Sequence, residues 1–266
     1  MKLLKYLKKK FLEFLSRYGI VWGVDIEFHF LRYRKFKFEF KQFKKMMVEK
    51  GKERLQSEWV DRYPCLFDNT KTTGFDRHYL YHPAWAARIV AETRPEVHVD
   101  ISSTLHFSAL ISAFVPVDFY DFRPAEIELS NFTSKAADVT LLHFPDKSVN
   151  SLSCMHVVEH IGLGRYGDPL DPDGDLKAIR ELERVLAPNG NLLFVVPVGR
   201  PRVMFNAHRV YAYEQIISYF SELKLISFTL IPESQDDGGL KLDATAEDVR
   251  SQNYGCGCFF FKRVEK

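Results

Sequence analysis

Between Cys154 and Pro169 the chain reads CMHVVEHIGLGRYGDP. An apolar run ends there in Glu159 and His160, and the next eight residues hold Gly162, Gly164 and Gly167 together with Arg165, Tyr166 and Asp168. An imidazole titrates near ~6.5 and can take or give a proton, and a neighbouring carboxylate can orient it. A guanidinium offers a planar fork to a carboxylate or phosphate, an aspartate accepts hydroxyl donors, and glycines let backbone N–H groups approach a ligand closely. A second polar cluster, GRPRVMFNAHRVY, starts at Gly199 and brings Arg200, Arg202, Asn206, His208 and Arg209. Here we expect His160 and His208 as acid or base, with Glu159 orienting one of them. Arg165, Tyr166, Asp168, Asn206 and Arg209 are expected to contact substrate. All should line one cleft, while His156, inside the apolar run, reads as a core histidine.

Each polar segment follows an apolar run, NSLSCMHV in one case and NLLFVVPV in the other, so both belong at strand ends. Four further runs read as strands: EVHVDI, VPVDFY, KLISFTLI and CGCFFFKRV. HPAWAARIVAE reads as a helix with Pro83 in its first turn. PDGDLKAIRELERVLAPNG reads as a second helix, with Leu176, Ile179, Leu182, Val185 and Leu186 on one stripe, Asp175 as its N-cap, and Pro188 and Gly190 at its end. Strand and helix in alternation predict an α/β fold, a doubly wound, mostly parallel Rossmann-like sheet that binds ligands beyond the carboxyl ends of its strands.

The 266 residues are 46% hydrophobic and 27% charged with a formal charge of +2, which fits one main domain with an extension. No window reaches the ~18 apolar residues of a membrane span, and no secretory signal is evident, so a cytoplasmic protein is expected. Cys65, Cys154, Cys256 and Cys258 are too scattered for a disulfide framework. Cys256-x-Cys258 lacks the spacing and second pair of a structural zinc site, so all four read as inert thiols and no metal site is expected. DPLDPDGD fails as a calcium loop because its twelfth position is Arg180, although magnesium on one or two of these carboxylates stays open. The basic tracts form no recognisable nucleic-acid module, so no nucleic-acid partner is expected.

Residues 1–70 read as a basic N-terminal extension and 71–266 as the α/β domain. MKLLKYLKKKFLEFLSRY sets Leu3, Leu4, Leu7, Phe11, Phe14, Leu15 and Tyr18 on one helical stripe with lysines elsewhere. Such a helix either packs on its own domain or attaches residues 1–18 to the inner face of an anionic membrane. In the basic, aromatic stretch that follows, Phe36, Phe38 and Phe40 fit a strand while Phe36, Phe40, Phe43 and Met47 fit a helix, and the sequence leaves both open.

The order VHVDISSTLHFSAL, VDFYDFRP, ADVTLLHFPDKSVNSLSCMHVVEH, RELERVLAPNGNLLFVVPVG resembles class I S-adenosylmethionine-dependent methyltransferases over roughly residues 76–215. VVEHIGLGRYGDP and NAHRV are similar to a subgroup of unassigned function whose members accompany surface-polysaccharide biosynthesis. The resemblance implies a class I methyltransferase fold and S-adenosylmethionine as cofactor. It places Asp100, Ser102 and Ser103 in the turn around the cofactor's methionine part, Asp121 at its ribose hydroxyls and Asp138 at its adenine amino group. It also implies methyl transfer to a hydroxyl of a sugar or related small molecule. The family turn is usually Gly-x-Gly-x-Gly, whereas this chain has DISSTLHFS, with no glycine between Gly74 and Gly162. Either that turn takes another conformation or cofactor affinity falls. The second reading is a cofactor-free module of the same fold that binds glycan intermediates or scaffolds a biosynthetic complex. Asp121 has a further role open to it, an Asx-type turn before Pro124.

Overall fold

The seven-stranded sheet that carries the site lies in the second of two compact units, residues 1–74 and 75–266. The computed structural model describes residues 26–49 and 55–264, so the expected amphipathic helix at 1–18 lies outside the described residues. Among the described residues no helix is long and apolar enough to cross a membrane. In the first unit the ambiguous aromatic stretch is helical, α1 (Ile26–Glu49). Phe36 and Phe40, one turn apart, both meet the Trp59 ring, at centroid distances of 6.0 and 5.0 Å. That shared contact needs the helical period and not the strand period.

The second unit opens with α2 (Arg77–Thr93), capped by Asp76, whose side chain accepts from the Tyr79 N–H. The helix starts earlier than the sequence suggests, which puts Pro83 inside it and brings His78 and His82 onto the same element. The sheet order is β3 (Phe132–Ala136), β2 (Val117–Asp121), β1 (His98–Ile101), β4 (Val149–Met155), β5 (Leu186–Val198), β9 (Gly255–Lys262), β8 (Lys224–Ile231). Strands β1 to β5 pair in parallel, and β9 runs antiparallel between β5 and β8. All six expected strands are present. The one strand of this sheet that was missed, β3, is an edge strand with a single buried residue, Phe132, so it lacks the apolar alternation that marks a strand.

Helices cover both faces. On one, Trp85, Ala86 and Val90 of α2 and Phe107 and Ile111 of α3 (Leu105–Ile111) pack on Val117, Phe119 and Val195. On the other, Ala178, Ile179, Leu182 and Val185 of α4 (Gly174–Val185) pack with Ile216 of α5 (Tyr213–Tyr219) and Val249 of α6 (Ala246–Arg250). The α4 stripe is as expected, but two details differ. Asp173 occupies the N-cap position and Asp175 is buried in the first turn, and the helix stops at Val185 so that Pro188 and Gly190 already belong to β5. A short hairpin, β6 (Arg202–Met204) and β7 (His208–Val210), follows β5.

Beneath the strand ends runs a buried polar chain. His98 bonds Ser151 Oγ at 2.8 Å and Ser153 Oγ at 2.9 Å, and Ser153 donates to Asp100 at 2.5 Å. Burial lowers His98 to about 3 and raises Asp100 to about 6. A histidine whose folded value lies below its unfolded one, ~6.5, contributes stability above that pH and loses it as pH falls, at about 1.4 kcal/mol per unit. Asp100 has the opposite sign, since its raised value costs stability as pH climbs through about 4 to 6. His98→Gln should therefore lose about 1 kcal/mol less than the wild type between pH 7.5 and 5.5, measured by urea unfolding. Equal losses would contradict a neutral buried His98.

Candidate functional site

The cavity lies at the point where strand order reverses, with β1 leading outward to β2 and β3 and β4 leading the other way to β5. Its volume is about 320 Å³, at the lower end of the ~300–1,000 Å³ typical of small-molecule sites. Ser102 follows β1, Asp121 ends β2, Asp138 follows β3, and His156, His160 and Tyr166 come from the loop after β4; all line it. The turn after β1 does not avoid left-handed backbone despite lacking glycine. Ser102 adopts φ 54°, with its N–H (2.7 Å) and hydroxyl (3.1 Å) both donating to the Tyr120 carbonyl. Asp121 Oδ1 accepts from the Arg123 N–H at 2.7 Å, which is the Asx-type turn. Asp138 Oδ1 accepts from Thr140 N and Oγ1 at 2.8 and 2.7 Å.

His160 sits in a 3-10 turn, Val158–His160, just beyond β4. Its Nδ1 lies 2.5 Å from the Ala207 carbonyl, which can only accept, so Nδ1 carries the hydrogen and neutral Nε2 is bare. Arg165 Nη1, 3.4 Å from the same ring nitrogen, is the weaker contact. Glu159 is fully buried, with Oε1 3.8 Å from His160 Nε2 and 2.8 Å from His156 Nδ1, and its Oε2 has no partner among the described residues. Protonated at Nε2, His160 would face a carboxylate, so the pair can hold a proton taken from a ligand in the cavity.

The glycine-rich loop is organised from within. Asp168 accepts from the N–H groups of Gly162 (2.7 Å), Gly164 (3.3 Å) and Tyr166 (3.1 Å). Although burial opposes it, these donors hold Asp168 below the usual carboxylate range. Gly162 has φ 80°, and a Cβ there would lie 2.0 Å from the Asp171 carbonyl oxygen, so no other residue fits. The far end of the loop is tied by Arg209. Its guanidinium donates to the carbonyls of Ile161 (2.7 Å), Pro172 (3.1 Å), Asp171 (3.4 Å) and Glu159 (3.5 Å). Its Nε lies 3.5 Å from Asp175 Oδ2, which also accepts from the Tyr211 hydroxyl at 2.8 Å.

The two polar segments do converge, but largely on each other. Of the residues expected in the cleft, His160, Tyr166 and Asp168 line the cavity together with Ser102, Asp121 and Asp138. Asp100 and Ser103 lie behind it. Asp100 is fully buried and accepts from Ser108 and Ser153, and Ser103 Oγ accepts from the Met155 N–H at 3.0 Å. Glu159 is second to His160, and Arg209 is a buried clamp instead of a substrate contact. Asn206, at φ 62°, is the left-handed residue of the β6–β7 turn and donates to the Leu163 carbonyl at 3.4 Å. His208 lies off the cavity, 6.2 Å from the His160 ring, with Nε2 buried and unpartnered and its pKa lowered by burial and by His160. Arg165 is exposed and lies over the Tyr166 ring at 5.0 Å. Arg123, which no motif in the sequence singles out, covers the same ring at 4.9 Å and lines the cavity. His156 is buried as expected, yet it reaches the cavity wall and joins His78 and Cys256 in a group whose donor atoms lie within 4.8 Å of one another. No spacing in the sequence relates those three residues.

Solved structures with the same arrangement are numerous. One, from Galdieria sulphuraria and provisionally described as a sarcosine dimethylglycine methyltransferase, superposes with a TM-score of 0.50 at 14% identity, over 70% of this chain and 86% of that one. The fold is that of the class I methyltransferases. The N-methyltransferase NodS from Bradyrhizobium japonicum WM9, in complex with S-adenosyl-L-homocysteine, gives 0.48 at 15% identity, over 69% of this chain and 86% of that one. In sequence, residues 125–252 match the family described as Caenorhabditis protein of unknown function, DUF268. No functionally curated protein matches the chain.

Arg209→Met removes one partner of a buried pair and leaves Asp175 charged inside. It should cost ~3–5 kcal/mol in urea unfolding, whereas Asn206→Gly, at a left-handed position, should leave stability unchanged or slightly higher. A loss under about 1 kcal/mol for Arg209→Met would remove its role as the clamp.

Proposed function

We propose that the chain is an S-adenosylmethionine-dependent methyltransferase that methylates a hydroxyl of a sugar or related small molecule in surface-polysaccharide biosynthesis. The observation that carries it is one cavity, at the switch point of a methyltransferase fold, lined by Ser102, Asp121, Asp138, His160 and Tyr166, with buried Glu159 3.8 Å from His160 Nε2. The donor set suits the cofactor. Asp121 has one oxygen engaged by the Arg123 N–H, so the other can accept from the ribose hydroxyls, and Asp138, with Oδ1 engaged by Thr140, has Oδ2 to accept from the adenine amino group. When bound, S-adenosylmethionine supplies an electrophilic methyl group on a sulfonium.

The protein's part is then to position the acceptor and take its proton. His160, oriented through Nδ1 by Ala207, accepts that proton at Nε2, and buried Glu159 stabilises the imidazolium. Arg123 and Arg165, each over the Tyr166 ring, offer two guanidinium groups to a phosphate or carboxylate attached to the acceptor. One observation favours the cofactor-free alternative, a module that binds glycan intermediates. Ser102 holds a side chain at φ 54°, where the family turn has glycine.

Calorimetric titration of the folded chain with S-adenosylmethionine and S-adenosylhomocysteine decides between the two. Saturable heat is expected, weakened at least tenfold by Asp121→Ala, whereas Ser102→Gly, which removes roughly 1–2 kcal/mol of left-handed strain from free and bound protein alike, should leave it in place. Silence at millimolar ligand excludes the enzyme reading. With an acceptor in hand, His160→Ala should lower kcat by ~10²–10⁴-fold with unchanged folding, and His208→Ala far less.

A further inference from the structure

Three side chains from distant parts of the second unit meet at the cavity wall: His78 in the first turn of α2, His156 just past β4, and Cys256 on β9. One donor atom from each lies within 4.8 Å of the other two. His156 Nε2 and Cys256 Sγ are 3.3 Å apart. That is close to the separation of two ligand atoms on a tetrahedral ion, given bonds of about 2.0–2.1 Å to nitrogen and about 2.3 Å to sulfur. His156 takes an uncommon backbone conformation to reach this place, φ 58° at a residue with a Cβ.

Its surroundings also suit a ligand. The Glu159 carboxylate accepts from His156 Nδ1 at 2.8 Å, which fixes the tautomer and leaves Nε2 bare beside the sulfur. A carboxylate behind a ligating imidazole is the usual outer partner of a metal-bound histidine. One turn beyond His78, His82 donates Nδ1 to the His78 carbonyl at 2.6 Å, and its Nε2 is buried with no partner. The His82 and His156 ring centroids are 5.0 Å apart. An S–H···N hydrogen bond explains the contact between Cys256 and His156. It leaves unexplained a bare imidazole nitrogen at His82 and a fully buried Glu159 carboxylate with one oxygen unpartnered. A divalent cation would ligate the first and balance the charge of the second.

We propose that His78, His156 and Cys256 bind a zinc-type transition-metal ion; His82, which lies outside that 4.8 Å group, would have to turn inward to supply a fourth donor. Thiolate and imidazole together select such ions over magnesium or calcium. The neutral imidazole and the thiolate are the ligating forms, so the ion must displace the Cys256 proton: the S–H bond breaks, a sulfur–metal bond forms, and one proton is released per ion. Once bound, the ion joins α2, β4 and β9 and fixes the His156–Glu159 contact from which His160 takes its electrostatic partner. The site stands whether or not the cavity takes S-adenosylmethionine. The sequence trace is His78-Tyr-Leu-Tyr-His82, two histidines four apart on one helix face, the spacing of helical zinc pairs.

The test is metal analysis of the full chain purified without a polyhistidine tag, before and after stripping with a chelator and reloading with zinc or cobalt. About one ion per chain is expected, with a thiolate-to-cobalt charge-transfer band in the near ultraviolet. Cys256→Ser should abolish the band, and His78→Ala should weaken affinity at least tenfold. Cys65→Ser, at an exposed cysteine, should change neither. Zinc should raise the melting temperature of the wild type and not of Cys256→Ser. If Cys256→Ser does not fold, half-exposed His78→Ala carries the comparison. Less than about one ion per ten chains after reloading would overturn the site, as would a cobalt spectrum without the thiolate band, or full metal retention in Cys256→Ser or His78→Ala.

Discussion

One guanidinium holds the candidate site together. Arg209, on the short strand β7, reaches carbonyls at both ends of the glycine-rich loop and pairs with Asp175 at the start of α4. Four carbonyl groups accept from this single side chain, and Asp175 pairs with the same guanidinium. The loop can therefore be glycine-rich and still hold one shape, because its conformational entropy is opposed from its ends by Arg209 and from within by Asp168. What reads in the sequence as a substrate-binding arginine is what ties the loop that carries the cavity-lining residues.

The cavity wall is assembled at some conformational cost. Ser102 and His156, the residues that follow β1 and β4, both take left-handed backbone with a Cβ in place. Such positions cost of order 1–3 kcal/mol each and persist only where surrounding structure over-determines them. Here it does: two hydrogen bonds to the Tyr120 carbonyl hold Ser102, while His156 is held by the Val195 carbonyl, Glu159 and Cys256. Both strained residues lie at the switch point of the sheet, where a ligand has access to the strand ends.

Ionisable groups are gathered under and beside this wall rather than spread over the core. His98, Asp100, His82, His156, Glu159 and Cys256 are all buried within the second unit. Each costs desolvation, and most recover it through short hydrogen bonds to serines, carbonyls or one another. The exceptions, Glu159 Oε2 and His82 Nε2, flank the cysteine–histidine contact, and His208 Nε2 is the third orphan of this region.

The fold was legible because its signals are local. β-branched and aromatic runs marked β1, β2, β4, β5, β8 and β9, and the 3.6-residue stripe of Leu176, Ile179 and Leu182 marked α4. β3 was not legible, since an edge strand with one buried residue has no alternation to read. The site divides in the same way. His160, Tyr166 and Asp168 could be named because their segment follows an apolar strand-like run, which assigns it to the ligand edge, whereas Ser102, Asp121 and Asp138 were named through the family resemblance. Which polar residues face the cavity and which clamp the loop was decided by tertiary structure. Arg209 and Asp175 are 34 residues apart, and no periodicity links a guanidinium to the carbonyls it will meet. The same holds for His78, His156 and Cys256. Sequence carries information about neighbours along the chain, and a cluster drawn from a helix, a strand end and a distant strand exists only once the sheet has closed the distance between them.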